Sequence, residues 1–226
     1  MDIVFRRCQF VDNNGCGIQL NLHNLERDVD APISITFEDC VVSWRDDYPF
    51  ESPWYDGAGL DVNSGYPPGN IVFRGTTVYG SAGAGLMISN KLLSGPSVTF
   101  ADVTLTDTAR VNQGFPEPWM RVTPIMLMDA DGGLGGLWFE DVKVVLADPG
   151  DWPTPFLSYY QIACSPGGLC PNVTGGIGGD IEVQWHGSAK QCVPRVLGAG
   201  GLSLVNGSAF GHGIMENVSI GCSKGP

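Results

Sequence analysis

The stretch Asp2-Ile-Val-Phe-Arg-Arg-Cys-Gln-Phe10 introduces a pattern that recurs along the chain. An aliphatic residue and an aromatic residue stand two positions apart. A two-residue turn follows them, and then a second short alternation of apolar and polar residues. Four further segments repeat this order: Ser34-Ile-Thr-Phe-Glu-Asp-Cys-Val-Val, Asn70-Ile-Val-Phe-Arg-Gly-Thr-Thr-Val, Ser97-Val-Thr-Phe-Ala-Asp-Val-Thr-Leu and Gly136-Leu-Trp-Phe-Glu-Asp-Val-Lys-Val. Asp180-Ile-Glu-Val reads as a degenerate sixth copy. The alternation predicts a half-buried strand in each copy, with Ile3 and Phe5 facing inward and Val4 facing outward.

A second predicted strand follows in each unit, and the first three of these strands are preceded by glycine. The strands cover Ile18 to Leu22, Leu60 to Asn63, Leu86 to Ser89, Ile125 to Met128 and Phe156 to Tyr160. The repeats are unequally spaced along the chain, although each keeps the same short sequence motif. This combination indicates units stacked on one another, with insertions confined to the turns.

The coil pattern over residues 1–185 resembles the right-handed parallel β-helix of the pectin-lyase-like superfamily. The resemblance implies an all-β fold, a single-stranded right-handed solenoid of about six irregular coils with long turn insertions. Coils would lie about 4.8 Å apart, so that equivalent residues become neighbours across strands. Phenylalanines would then form one inward column (Phe5, Phe37, Phe73, Phe100, Phe139), and Arg6 would adjoin Glu38 on the outside.

We expect residues 1–226 to form one β-helix domain, in which residues 186–226 make an irregular last coil and cap. Met1 stands at the start of a coil, with no capping segment before it. Because an uncapped solenoid end exposes strand edges, we expect the chain to be a fragment or module of a longer solenoid, in contact with further coils.

Composition excludes several partners. The 226 residues carry 12 Lys and Arg against 24 Asp and Glu, a net charge of −12. This balance argues against nucleic acid, whose affinity for proteins comes mainly from basic side chains, and against an anionic membrane surface. No run of apolar residues is long enough to span a bilayer.

Cysteines and sequons favour an extracellular or cell-surface location, although this chain shows no signal peptide. Cys164 with Cys170, and Cys192 with Cys222, are candidate disulfides, and the seven cysteines lack the spacing of a zinc site. Three N-x-S/T sequons predict glycosylation at Asn172, Asn206 and Asn217.

Three long insertions fall at the same point of their repeats, at residues 45–56, 110–121 and 148–156, and each contains Trp, another aromatic, proline and acids. If they leave the same corner, they line a groove suited to sugar rings, in which aromatic faces stack and charged groups bond hydroxyls. The predicted substrate-binding residues are Arg45, Tyr48, Trp54, Phe115, Trp119, Arg121 and Trp152. Two alternatives remain: the aromatics cover the solenoid's own flank, or they bind a protein.

Asp61, Asp56 and Glu117 are the candidate catalytic residues, because hydrolysis of a glycosidic bond uses two carboxyl groups, one of them protonated. Asp61 is expected to lie on the outward face of a rigid strand. The alternative is that all three are solvated carboxylates.

The predicted partner is therefore a polysaccharide, and two functional classes stay open. One is a glycoside hydrolase or polysaccharide lyase, without a cofactor unless a lyase uses Ca²⁺. The other is a non-catalytic module that binds glycan, mediates adhesion or is purely structural. Gly211-His-Gly and Asp46-Asp47 are similar to polygalacturonase motifs, but they lie too far apart in the chain for that family.

Overall fold

The computed structural model describes residues 1–13, 15–22, 32–44, 57–63, 69–81, 83–89, 96–109, 123–129, 136–146, 155–161, 177–185, 195–197, 203–205 and 217–224. Every helix or strand assigned within these ranges is a β-strand. In chain order the strands are β1 (Asp2–Arg6), β2 (Gln9–Asn13), β3 (Ile18–Asn21), β4 (Ile33–Glu38), β5 (Val41–Trp44), β6 (Leu60–Asn63), β7 (Gly69–Arg74), β8 (Thr77–Tyr79), β9 (Leu86–Ser89), β10 (Ser97–Ala101), β11 (Thr104–Thr106), β12 (Ile125–Asp129), β13 (Leu137–Leu146), β14 (Pro155–Gln161), β15 (Ile177–Trp185), β16 (Arg195–Leu197), β17 (Ser203–Val205) and β18 (Asn217–Lys224).

The strands pair in three parallel ladders, and successive repeats add one strand to each. The first ladder runs β1-β4-β7-β10-β13, the second β2-β5-β8-β11-β13, and the third β3-β6-β9-β12-β14-β16. The long strand β13 joins the first two ladders, and β15 and β18 pair beyond it. The predicted all-β, parallel arrangement is confirmed, and all five predicted strands of the third ladder are present.

The predicted inward phenylalanine column is present. The rings stack nearly parallel, with centroids 4.7 Å apart for Phe5 and Phe37, 4.8 Å for Phe37 and Phe73, 5.2 Å for Phe73 and Phe100, and 5.8 Å for Phe100 and Phe139. Aliphatic residues of all three ladders surround the column and make one continuous core. In the first strand Val4 is exposed and Phe5 stacks on the next ring, as the alternation predicted, but Phe5 is itself 37% exposed.

A bend residue separates the first-ladder segment from the second-ladder segment in the first five repeats. The bend residue has a positive φ in each of five stacked units: Arg7 (54°), Asp39 (53°), Gly75 (58°), Asp102 (53°) and Asp141 (53°). Left-handed backbone is tolerated best by glycine and, among the rest, by asparagine and aspartate. The same left-handed backbone conformation therefore recurs at the bend of five successive repeats. Four of these five bend residues are Asp or Gly.

Outward charges follow the stacking as well. Arg6 on β1 donates from Nε to Glu38 Oε2 on β4, the pair that the repeat predicted. Because both side chains lie on the surface, the contact aligns neighbouring strands more than it stabilises the fold.

The sixth repeat differs from the prediction. Ile177, rather than Ile181, lies opposite Leu137, so the unit begins four residues earlier than the motif Asp180-Ile-Glu-Val suggested. Gly178 and Gly179 occupy the positions opposite Trp138 and Phe139. Because neither glycine has a side chain, this part of the strand shows no alternation of apolar and polar residues. The start of the repeat was therefore predicted at the wrong residue.

Strands also continue beyond residue 186. β16 pairs in parallel with β14, and β18 pairs in parallel with β15 over eight residues. β17 runs antiparallel to β16, unlike the other strand pairs among the described residues. The third ladder thus ends in a reversal of chain direction.

Replacing Phe73 tests the stack. Phe73 is fully buried between two parallel rings, so Phe73→Ala should lower the free energy of unfolding by about 3–5 kcal/mol. Chemical denaturation followed by circular dichroism measures the loss. Val72→Ala, one residue away and outward, is the control and should cost well under half as much; equal losses for the two variants would contradict the inward column.

Candidate functional site

The outward face of the third ladder carries the candidate site. Along β3, β6, β9 and β12 the core residues alternate with residues of the opposite face. At one outward position the register brings together Gln19, Asp61, Met87 and Met126. Asp61 therefore lies on the face predicted for it, on a central strand with a paired strand on each side.

Asp61 is almost inaccessible, with 3% of its surface exposed. Gln19, its neighbour across β3, donates a hydrogen bond from Nε2 to Asp61 Oδ2 at 2.9 Å. The other carboxyl oxygen, Oδ1, is buried and has no hydrogen-bond partner among the described residues. A buried acceptor without a partner is costly for an ionised carboxylate and less so for a neutral acid.

Desolvation by burial raises the pKa of Asp61 above its ordinary value, and the hydrogen bond from Gln19 partly opposes this shift. Burial removes the water that stabilises the anion, whereas the amide N–H stabilises it. The protonated form therefore persists to higher pH than in an ordinary aspartate. A carboxyl group with this property can donate a proton.

The surroundings of Asp61 are mixed in polarity. Asn63 lies two residues along β6 on the same face, and within the described part of the chain its buried Oδ1 also has no hydrogen-bond partner. Met87, Ala58 and Ala84 form a small apolar cluster outside the main core. The site thus presents two unsatisfied oxygens beside an apolar patch.

The other predicted site residues lie outside the described part of the chain. These are the candidate catalytic residues Asp56 and Glu117, and the candidate binding residues Arg45, Tyr48, Trp54, Phe115, Trp119, Arg121 and Trp152. Strand order places their segments between the second and third ladders, in the connections β5–β6, β11–β12 and β13–β14. The insertions therefore share one kind of connection, as predicted, and their convergence on Asp61 stays a prediction.

Sequence reasoning missed Gln19 and Asn63. A signal was present, because Gln19 and Asp61 occupy equivalent places in successive repeats and polar residues follow two positions later in both. The sequence analysis also missed Trp138, whose side chain is about half exposed on the outward face of the first ladder.

The predicted modifications are covered only in part. Asn172 and Asn206 lie outside the described residues, and Asn217 is the first residue of β18. The pairings Cys164–Cys170 and Cys192–Cys222 stay predictions, since Cys164, Cys170 and Cys192 are not described. Cys40 lies in the core and Cys8 packs against it.

In the described portion no group of three or more His, Cys, Asp or Glu side chains is arranged to hold a metal ion. Over the same portion, no helix is long and apolar enough to cross a membrane.

Comparison with known proteins returned no match to a protein-family model, to a curated protein or to a solved structure.

Asp61→Asn should remove a pH-dependent penalty on folding. Because the folded-state pKa of Asp61 is raised, the folded state holds this proton more tightly, and stability falls as pH rises from the unfolded-state pKa through the folded-state pKa. The variant should therefore match wild type in acid and gain on it toward neutral pH. Denaturation midpoints across the pH range measure the difference, with exposed Asp2→Asn as control. A constant offset at every pH would contradict the buried, proton-holding carboxyl.

Proposed function

We propose that the chain is a right-handed parallel β-helix of the pectin-lyase-like type that hydrolyses a polysaccharide, with Asp61 as the proton donor. The observation that carries the proposal is the buried Asp61 carboxyl, with one oxygen bound by Gln19 and the other unsatisfied. The parallel ladders support the fold, because crossovers between parallel strands of one sheet are right-handed in about 98% of cases.

The proposed reaction is general acid catalysis of glycosidic cleavage. The Asp61 proton passes to the leaving-group oxygen as its bond to the sugar carbon breaks. A second carboxylate acts as base or nucleophile, and Asp56 and Glu117 are the candidates. Asp61 suits the donor role because its pKa is raised by burial.

The state of Asp61 favours a hydrolase over a calcium-dependent lyase. Calcium is held by charged carboxylates and other oxygens, and burial of Asp61, which raises its pKa, disfavours that charged form. The net charge of the chain indicates the kind of substrate. A protein of net charge −12 repels polyuronates, which are polyanions. We therefore propose a neutral polysaccharide, whose hydroxyls bond to the amides of Gln19 and Asn63 and whose rings stack on the aromatic insertions.

The small exposed fraction of Asp61, 3%, favours a second candidate. In this alternative the acid is a structural part of the third ladder, and the protein is a non-catalytic module that binds glycan along the same flank. The two functions differ in whether bonds are broken and in what removal of the acid does.

Cleavage assays distinguish the hydrolase from the non-catalytic glycan-binding module. The wild-type chain should release new reducing ends from members of a panel of neutral polysaccharides, equally well with Ca²⁺ and with chelator. Asp61→Asn should lower the rate by about 10²–10⁴-fold, the usual contribution of a positioned proton donor. Asp2→Asn, an exposed acid on another face, should keep full activity. Binding without cleavage by folded wild type, or full activity in Asp61→Asn, would establish the alternative.

Gln19→Met gives a finer test of the proton donor. Loss of the amide donor removes the interaction that lowers the pKa of Asp61, so the pKa should rise further. The descending limb of the rate–pH profile, where the acid loses its proton, should move to higher pH. A limb that stays in place while only KM changes would show that Asp61 does not supply the proton.

A further inference from the structure

Trp138 on β13 makes an unusual surface on the first ladder. It stands at an outward position and is 50% exposed. The six-membered part of its indole occupies the space that a side chain on Gly178 of β15 would fill, since a Cβ there would lie 2.2 Å from ring carbon Cζ3 and 2.8 Å from Cε3 and Cη2. The indole thus leans over the next strand of the stack and leaves much of its surface open to solvent.

The outward column continues from Gly178 to Asn217. The register pairs Trp138 with Gly178, and Gly178 with Asn217 of β18. Asn217-Val-Ser is one of the three N-glycosylation sequons, and its Ser219 is exposed. Ser219 lies on the face of β18 opposite to Val218 and Ile220, which pack against the core. The register therefore aligns the backbone of Asn217 with that of Trp138, with Gly178 between them.

We propose that an N-linked glycan on Asn217 folds back along this column and that its innermost sugar stacks on Trp138. In the modification, the Asn217 amide nitrogen bonds to C1 of a sugar carried on a lipid diphosphate. The bond from C1 to the diphosphate oxygen breaks, the lipid diphosphate leaves, and the amide loses one proton. The transfer involves no oxidation or reduction.

Spacing fits the contact. Two strand spacings put the Cα atoms of Asn217 and Trp138 about 10 Å apart, and the indole spans part of this gap by covering Gly178. A pyranose attached to the asparagine amide can lie over the remainder and place its apolar C–H face on the ring. Aromatic side chains with an exposed face favour such stacking, because it buries apolar area while the hydroxyls stay hydrated.

Tyr79 on β8 supplies a matched comparison. It is 47% exposed, similar to Trp138. It pairs with Ser43 and Thr106 in the second ladder, and its column holds no sequon in the neighbouring strands. The sugar contact should therefore depend on Trp138 and not on Tyr79.

The test uses the full chain secreted from a eukaryotic host, with Asn172→Gln and Asn206→Gln so that Asn217 is the sole sequon. Mass spectrometry should show a glycan at Asn217. In NMR spectra the N-acetyl methyl signal of the innermost sugar should be shifted upfield by the indole ring current. Trp138→Ala should abolish that shift, Trp138→Phe should keep part of it, and Tyr79→Ala should leave it intact.

Thermal unfolding gives a second readout. Enzymatic removal of the glycan should lower Tm by about 2–4 °C in the parent and in Tyr79→Ala, and by much less in Trp138→Ala. An unoccupied Asn217, a methyl shift that survives Trp138→Ala, or an equal loss of Tm in all three proteins would overturn the proposal. Trp138-dependent binding of free oligosaccharide by a chain that is unmodified at Asn217 would also overturn it, by assigning the ring to an external sugar.

Discussion

In-register stacking of parallel strands is the constraint on which the structure depends. Each repeat lies about 4.8 Å from the next, so every side chain meets its own equivalent above and below. A residue type that packs well against itself is therefore favoured at each inward position. The phenylalanine column meets this requirement with nearly parallel rings from Phe5 to Phe139, and the aliphatic residues of the three ladders fill the space around it.

The same constraint decides where the chain can vary. The bend between the first and second ladders repeats one left-handed backbone conformation, and an insertion there would displace the columns on both sides. The connection from the second to the third ladder differs in length among the repeats. Long polar and aromatic segments can be inserted at this point of the sequence because the paired strands on either side keep their register. The candidate site lies on the third ladder, which follows these connections in the chain.

Much of the fold could be predicted from the sequence because columns repeat. Phe37, Phe73 and Phe100 stand at equal places in their motifs, and this spacing predicted both their strands and their stacking. The predicted start of the sixth repeat was wrong at Gly178 and Gly179, because glycine has no side chain whose polarity would indicate which face of the strand it occupies. The outward position of Asp61 was predictable from alternation in Leu60-Asp-Val, but its burial was not, since burial depends on what covers the face. Gln19 was missed although it holds the same place in the first repeat that Asp61 holds in the second.

The outward column Gln19, Asp61, Met87, Met126 changes character along the third ladder. Its first two members are an amide and a carboxyl, and its next two are thioethers. Met87 is buried, as Asp61 is, so the carboxyl meets an amide that donates a hydrogen bond to it on the β3 side and an apolar side chain on the β9 side. Its two neighbours across the ladder are therefore chemically unequal, and of these two only Gln19 stabilises the charged form.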